Sequence, residues 1–568
     1  MTFTASTYGN FVAQASAAQE RLFPQYNGPR DDFDIMVVGS GMGGGVLADD
    51  LAEHMGHRKR ILVLEAGSFL YPTHVYNCCR FSNAALGQHF GCDTFWQAGG
   101  SGSPNYIGEK PQMAFGGRSI FWSGLIPSIQ GWELDFFPTR VRQDLASGLL
   151  NQAGDVMNES RSMGATARAV VAQLRRSDLA RDFSIQETPR ALHQPYLEPD
   201  GTPKDQFFTE PTGVFNTAEL LINQVGLTPG ISHVDGPGLH LLLNHYVEDV
   251  QDHGGHYQLV TRHTLTGQSR TFRAPTVVLA AGSIESPKLL RRSSLYPGLP
   301  AHAQALIGKG LTDHPTSNEI TTFVTGLRDD ATIIPKTSHA KIILYSRGLR
   351  DGREIRYPFN VEMNINHEYW HVRENDPNTN HTGFSTQSGT GPSRIDIKFS
   401  FGNCLDDANE VNSAPPFGYV PEIVFGNLSW TDRLTASRFP ALAGWRKNDQ
   451  QVFAVLNQVT HQIFSQFQID GEPARPEKDP ATGKEMWFGQ GKGFGWGTVH
   501  HAVGTLRMPY RPSSSSSFDA ATVLDEDLRL AGTQNLYVCD MSVMPFSSAA
   551  NPVRTLVALA LRLSRRLG

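Results

Sequence analysis

Cysteine is nearly absent. The 568 residues hold five, Cys78, Cys79, Cys92, Cys404 and Cys539, an odd count with no C-x-x-C pair. That spacing excludes a disulfide framework and a zinc ribbon, so reduced thiols and no metal site are expected. Also missing is an apolar run long enough to span a bilayer, and no membrane span is expected. Neither sign of charge dominates: 49 basic and 55 acidic side chains leave a formal net charge of -6. Such a balance gives no electrostatic footprint for nucleic acid or anionic membranes. The first 23 residues lack the basic start and apolar core of a secretory signal, so the expected compartment is the cytoplasm. There the N-x-S/T matches at Asn158, Asn380 and Asn427 would meet no glycosylation machinery.

What is present is an ordinary globular balance, with 39% hydrophobic residues, 55 glycines and 34 prolines. The length exceeds what one core supports, which predicts two packed domains. The first strong strand, Asp34 to Val38, runs straight into Gly39-Ser40-Gly41-Met42-Gly43-Gly44, then a helical stretch over Gly45 to Ala52 and a second strand from Arg60 to Glu65. This is a βαβ unit carrying a dinucleotide fingerprint. Gly39 permits the tight turn, Gly41 lets the backbone approach a pyrophosphate, and Gly44 lets helix pack on strand. Glu65 ends the second strand where its carboxylate can accept ribose hydroxyl protons.

Two further segments read as edges of the same sheet. Thr276 to Gly282 is a strand running into small residues, with Pro287 expected in the first turn of the following helix. Asn535 to Cys539 is a strand, followed by a closing helix from Asn551-Pro552 through Leu563. Residues 131–225 and 321–490 lack this signature; strand-like Lys341 to Tyr345 and Arg394 to Phe399 suggest an antiparallel sheet there. The predicted fold is α/β: a Rossmann-like domain from residues 1–130, 226–320 and 491–568, and a discontinuous substrate-binding domain from 131–225 and 321–490. The serine run Ser513 to Ser517 reads as a surface linker.

The unit alone does not separate FAD from NAD. Six blocks decide: the fingerprint, Phe115 to Trp122, Val277 to Leu290, Gly308 to Pro315, His501 to Met508, and Asn535 to Thr555. In kind and order they resemble the glucose-methanol-choline (GMC) oxidoreductase family. The resemblance implies FAD in an extended form. It places the Gly116-Gly117-x-Ser119 loop over the flavin, Val247 near the adenine, and Ala281 in the cofactor site. It places Asp540 near the ribityl chain or pyrophosphate, and the Asn551-Pro552 helix start at the pyrimidine edge of the ring. A helix N-terminus suits the negative charge of a reduced flavin.

His501 aligns with the family's catalytic base, and a histidine near neutrality can accept an alcohol proton. If the segment is extended, its neighbour His500 points the other way. Asn551 aligns with the second catalytic position, where its amide would hold the substrate oxygen; helix capping is the plainer alternative. Asn551, the Gly116 to Trp122 motif and the Ala549 to Pro552 ending look most similar to the pyranose 2-oxidase branch and its bacterial sugar- and glycoside-oxidising relatives, which implies a sugar, glycoside or polyol. Phe121 stands where covalent relatives carry a histidine, so noncovalent FAD is expected.

Ala502 and Pro509 depart from the common pattern and put the substrate side in doubt. Trp122, Trp370, Trp430 and Trp496 are either sugar platforms or packing. The expected partners are a small-molecule alcohol and an electron acceptor, oxygen or a quinone-like carrier. Open alternatives are a flavin-bearing hydroxynitrile-type lyase of the same family and an oxidoreductase for sterols or other non-sugar alcohols. A disulfide reductase would need a second fingerprint and a redox cysteine pair, and has neither.

Overall fold

The computed structural model describes residues 25–69, 97–98, 113–122, 124–160, 165–192, 214–226, 236–314, 322–327, 340–347, 349–350, 354–355, 359–365, 393–412, 421–425, 449–469, 471–478, 480–485, 501–511 and 517–568. Expectations at Cys78, Cys79, Cys92, Trp370, Trp430, Trp496, His500 and 513–516 lie outside them.

In chain order the strands that position the site are β1 (Ile35–Val38), β2 (Arg60–Leu64), β3 (Phe183–Glu187), β4 (Gly238–Leu242), β5 (His245–Asp252), β6 (Tyr257–His263), β7 (Ser269–Ala274), β8 (Thr276–Leu279), β9 (Thr322–Leu327), β10 (Ala340–Ser346), β11 (Phe359–Ile365), β12 (Ser393–Phe401) and β13 (Leu536–Val538). The helices are α1 (Met42–Met55), α2 (Leu150–Val156), α3 (Thr217–Gly226), α4 (Gly282–Arg292) and α5 (Val553–Leu567).

A five-stranded sheet runs in the order β13-β8-β1-β2-β4 with every pair parallel. Parallel sheets are covered on both faces, which is why β1, β2 and β13 are apolar runs buried along their length. Helix α1 crosses from β1 to β2, and both α3 and α5 pack on it; α2 lies against α5. Only β1 and β2 are close in sequence. The other strands arrive from residues 238, 276 and 536, so the sheet is assembled from distant pieces. Strands β5 to β7 form a separate antiparallel sheet between β4 and β8.

The second five-stranded sheet is antiparallel, in the order β9-β12-β11-β10-β3. Side chains alternate across it. One face, with Ile342, Leu344, Val361, Met363, Ile395, Ile397 and Phe399, builds a second core. The other face carries Lys341, Tyr345, Asn360, Glu362 and Ser400, all buried, with Lys398 beside them. Buried polar groups need partners, and this face looks onto the candidate site.

Pro287 sits inside α4 rather than in its first turn, as the sequence suggests. A proline there leaves the carbonyl four residues back without its intrahelical donor. Thr505 Oγ1 supplies one, donating to Ser283 O at 2.7 Å. No described helix is long and apolar enough to cross a membrane.

Candidate active site

The fingerprint glycines answer to different constraints. Gly39 has φ 104°, and a Cβ there would lie 2.5 Å from Ala280 O. A Cβ on Gly44 would lie 2.1 Å from Gly39 O, so α1 packs on β1 only without a side chain. Gly41 has no atom within 4 Å of a Cβ position, and it lines a cavity of about 640 Å³. The space a side chain would take at Gly41 is thus open to a ligand.

That one cavity is lined by Gly39, Gly41, Glu65, Gly117, Phe121, Trp122, Val247, Ala281 and Asp540, and also by His314, Glu362, Lys398, His501 and Asn551. Glu65 Oε2 accepts from Ser40 N at 3.0 Å and Ser40 Oγ at 2.6 Å, and Oε1 from Gly67 N at 2.8 Å. Burial pushes this carboxyl above its usual range while those hydrogen bonds pull it back. Ser40 Oγ also accepts from Gly116 N at 2.9 Å, which ties the fingerprint to the Gly116-Gly117 loop. Both loop glycines have positive φ, 88° and 52°. A backbone cradle at Gly41, a buried acid at the end of β2 and a second glycine loop above them suit the phosphates and ribose of an FAD.

Three expected positions carry structural duties as well. Ser119 Oγ donates to Gly116 O at 2.6 Å and accepts from Thr217 N at 2.9 Å, so it shapes the loop from behind. The Asp540 carboxylate accepts from Gly282 N, Ser286 Oγ, Ser542 N and Ser542 Oγ. Its lone pairs are thereby spent pinning α4 to the turn after β13, although the residue lines the cavity. Pro552 is the N-cap of α5, and no side chain caps that helix. Asn551 precedes that N-cap and lines the cavity.

His501 is placed by a backbone register. Thr312 N donates to Val503 O at 3.1 Å and Val503 N to Thr312 O at 2.9 Å, an antiparallel bridge. Two residues outward along each strand, His314 comes opposite His501, with ring centroids 4.7 Å apart. His314 is buried, which pushes its imidazole down to about 3; Glu362 opposes that shift and Lys398 adds to it. It stays neutral at any working pH.

Behind the histidines, Lys341 Nζ lies 2.8 Å and Lys398 Nζ 3.0 Å from Glu362 Oε2. Burial pushes Glu362 up, but the two ammonium groups outweigh it and bring it to about 2. Burial also lowers Lys341 to about 8 against the pull of Glu362. On the other flank, Glu133 accepts from Ala549 N at 2.7 Å, Ser548 Oγ at 2.9 Å and Gln130 N at 3.1 Å. It anchors the segment that presents Asn551, and burial raises it to about 7.

Of the positions assigned a role from sequence, Gly39, Gly41, Glu65, Gly117, Val247, Ala281, Asp540, His501 and Asn551 meet on this cavity. Sequence reasoning assigned no role to His314, Glu362, Lys398 or Glu133. For β11 and β12 the signal was a polar residue at every second position of an apolar strand, which reads equally well as a solvated face. Trp122 Nε1 donates to Phe215 O at 2.8 Å. A second cavity, of about 760 Å³ and lined by residues such as Arg140, His302 and Arg529, holds none of these groups.

Family models described as GMC oxidoreductase match residues 232–316 and 440–560, the N-terminal and C-terminal parts of that family. Over both of those stretches the chain matches the GMC oxidoreductase family. As such it is an FAD-dependent oxidoreductase, in a family that oxidises CH–OH groups. Among solved structures, a pyridoxine 4-oxidase from Mesorbium loti shares the GMC fold at TM-score 0.55 and 18% identity. A formate oxidase from Aspergillus oryzae does so at 0.59 and 14%. Each comparison covers 94% of this chain and 98% of the other. No curated protein sequence matches the chain.

Proposed function

We propose that this GMC oxidoreductase oxidises a CH–OH group of a small sugar, glycoside or polyol to a carbonyl, with His501 as base and Asn551 holding the reacting oxygen. The observation that carries this reading is that both side chains lie on the cavity that also contains the fingerprint and Glu65. Gly39, Gly41 and Gly44, with the Gly116-Gly117 loop, would hold the pyrophosphate, and Glu65 the ribose. Val247 would meet the adenine, Ala281 and Asp540 would border the chain between, and Pro552 would start the helix beneath the flavin. Ser119 supports this from behind.

FAD, when bound, supplies the acceptor, flavin N5, for the carbon-bound hydrogen that leaves with its electron pair. His501 takes the hydroxyl proton as that happens. The Asn551 amide donates to the oxygen and stabilises the charge that builds there. Neutral His314 beside His501 adds no positive charge to oppose the imidazolium that forms. Phe121 on the cavity wall, with no nucleophilic nitrogen, supports noncovalent FAD. Oxygen or a quinone-like carrier would take the electrons onward. We assign residues 1–130, 226–320 and 491–568 to the FAD-binding domain, and 131–225 and 321–490 to the substrate domain.

An anaerobic screen of sugars, glycosides, polyols, sterols and simple alcohols tests the reading. Bleaching of the flavin by sugars or polyols is expected. Bleaching only by sterols or simple alcohols overturns the substrate class; turnover of a cyanohydrin with the flavin still yellow would mean a lyase.

A further inference from the structure

The wall opposite the fingerprint holds more chemistry than alcohol oxidation requires. A base and one hydrogen-bond donor suffice for that reaction, yet the same cavity is also lined by His314, Glu362 and Lys398. His314 is 2% exposed, and its Nε2 has no hydrogen-bond partner. Leaving a buried nitrogen unpaired is costly, and a ligand atom in the cavity would satisfy it. Glu362 and Lys398 are direct cross-strand partners on β11 and β12, so the sheet register fixes the pair on one face. Ser400, two residues along β12, lines the cavity on that face too.

We propose that His314, Glu362 and Lys398 form a subsite for a second hydroxyl, on the carbon next to the one oxidised, so that the substrate carries a vicinal diol. The inference rests on the alcohol-oxidation reading above. A hydroxyl both donates and accepts, and this wall offers both complements. The Glu362 carboxylate accepts, the Lys398 ammonium has donors beyond the one directed at Glu362, and a neutral imidazole does either. Adjacency follows from the bridge that sets His314 opposite His501: a group held by His314 lies beside the group whose proton His501 takes. Other ligand chemistries fit worse. An ionised carboxylate or phosphate has no hydrogen to offer the Glu362 carboxylate, and an alkyl or sterol skeleton would leave the buried His314 Nε2 unpaired. His314 keeps its dual capacity because burial holds it neutral.

The test uses holoenzyme and compares rates of anaerobic flavin bleaching by trans-1,2-cyclohexanediol and cyclohexanol, with D-glucose as a third probe. The expected wild-type preference for the diol is about tenfold or more, the discrimination a site built to bond a hydroxyl makes against its absence. In Glu362→Gln that ratio should fall to near one. Because Glu362→Gln also removes a charge from beside buried Lys341, Lys398→Met is the second variant, with flavin absorbance as the check on folding. An equal preference in wild type, or a preference kept in folded Lys398→Met, overturns the subsite. Bleaching by none of the three probes, by contrast, overturns the reading on which it rests.

Discussion

Two regions of one cavity are built from different materials. Around Gly39 to Gly44 the wall is backbone, and what matters is the side chains that are missing. Around His501 the wall is side chain, brought together from residues 314, 362, 398, 501 and 551. The backbone wall would bind a cofactor by shape and by the N–H groups at the start of α1, which no titration alters. The side-chain wall works by charge and proton position, so burial and ion pairing set its behaviour. A substitution should therefore separate affinity for the cofactor from chemistry, depending on which region it strikes.

The largest expected effect is at His501. His501→Ala should lower kcat on the order of a hundredfold to ten-thousandfold while flavin content at 450 nm stays that of wild type; loss of the flavin as well would break the comparison. Next is Gly41→Leu, whose side chain would enter open space rather than protein. It should leave the apoprotein folded and weaken FAD by about tenfold or more, roughly 1.4 kcal/mol. Unchanged affinity in a dialysis titration would remove the pyrophosphate from that position.

Glu133 offers a sharper, pH-dependent version. Its folded-state value, raised to about 7, lies above the ordinary 4.5. The folded protein therefore holds this proton more tightly, and stability from it is full below about 4.5 and lost as pH rises through about 7. His314, lowered to about 3 in the folded state, acts in the opposite sense below about 6.5. The difference between wild type and Glu133→Gln isolates the glutamate. The Tm advantage of wild type should shrink between pH 5 and 8; a constant difference would contradict the buried-acid assignment. The smallest effect is expected for Thr505→Val, which strands the Ser283 carbonyl beside Pro287. A cost of about 1–3 kcal/mol should lower Tm by roughly 2–5 °C with FAD affinity intact.

The same division explains what could be read from the chain. Strand, glycine turn, helix and terminal acid lie within residues 34–65, so spacing alone exposes the nucleotide site, and the strands at 276 and 536 share its buried apolar character. His501 and Asn551 came through family resemblance, not spacing. Glu362 and Lys398 were hidden because alternation is the same whether a polar face meets water or another domain; only the contact between β11 and the cavity distinguishes them. Pro287 misled for a related reason. Its helix tolerates it because of a hydroxyl more than two hundred residues away, and no local rule contains that hydroxyl.

The Asp540 carboxylate bonds Gly282, Ser286 and Ser542 at once, and β13 pairs along β8. On the ribosome the fingerprint emerges early, whereas this pin, the edge strand and α5 emerge hundreds of residues later. The growing chain therefore carries half a cofactor pocket through most of its synthesis. A flavin held in such a pocket would therefore be enclosed only once these late segments have been made, rather than acting as an early nucleus for folding.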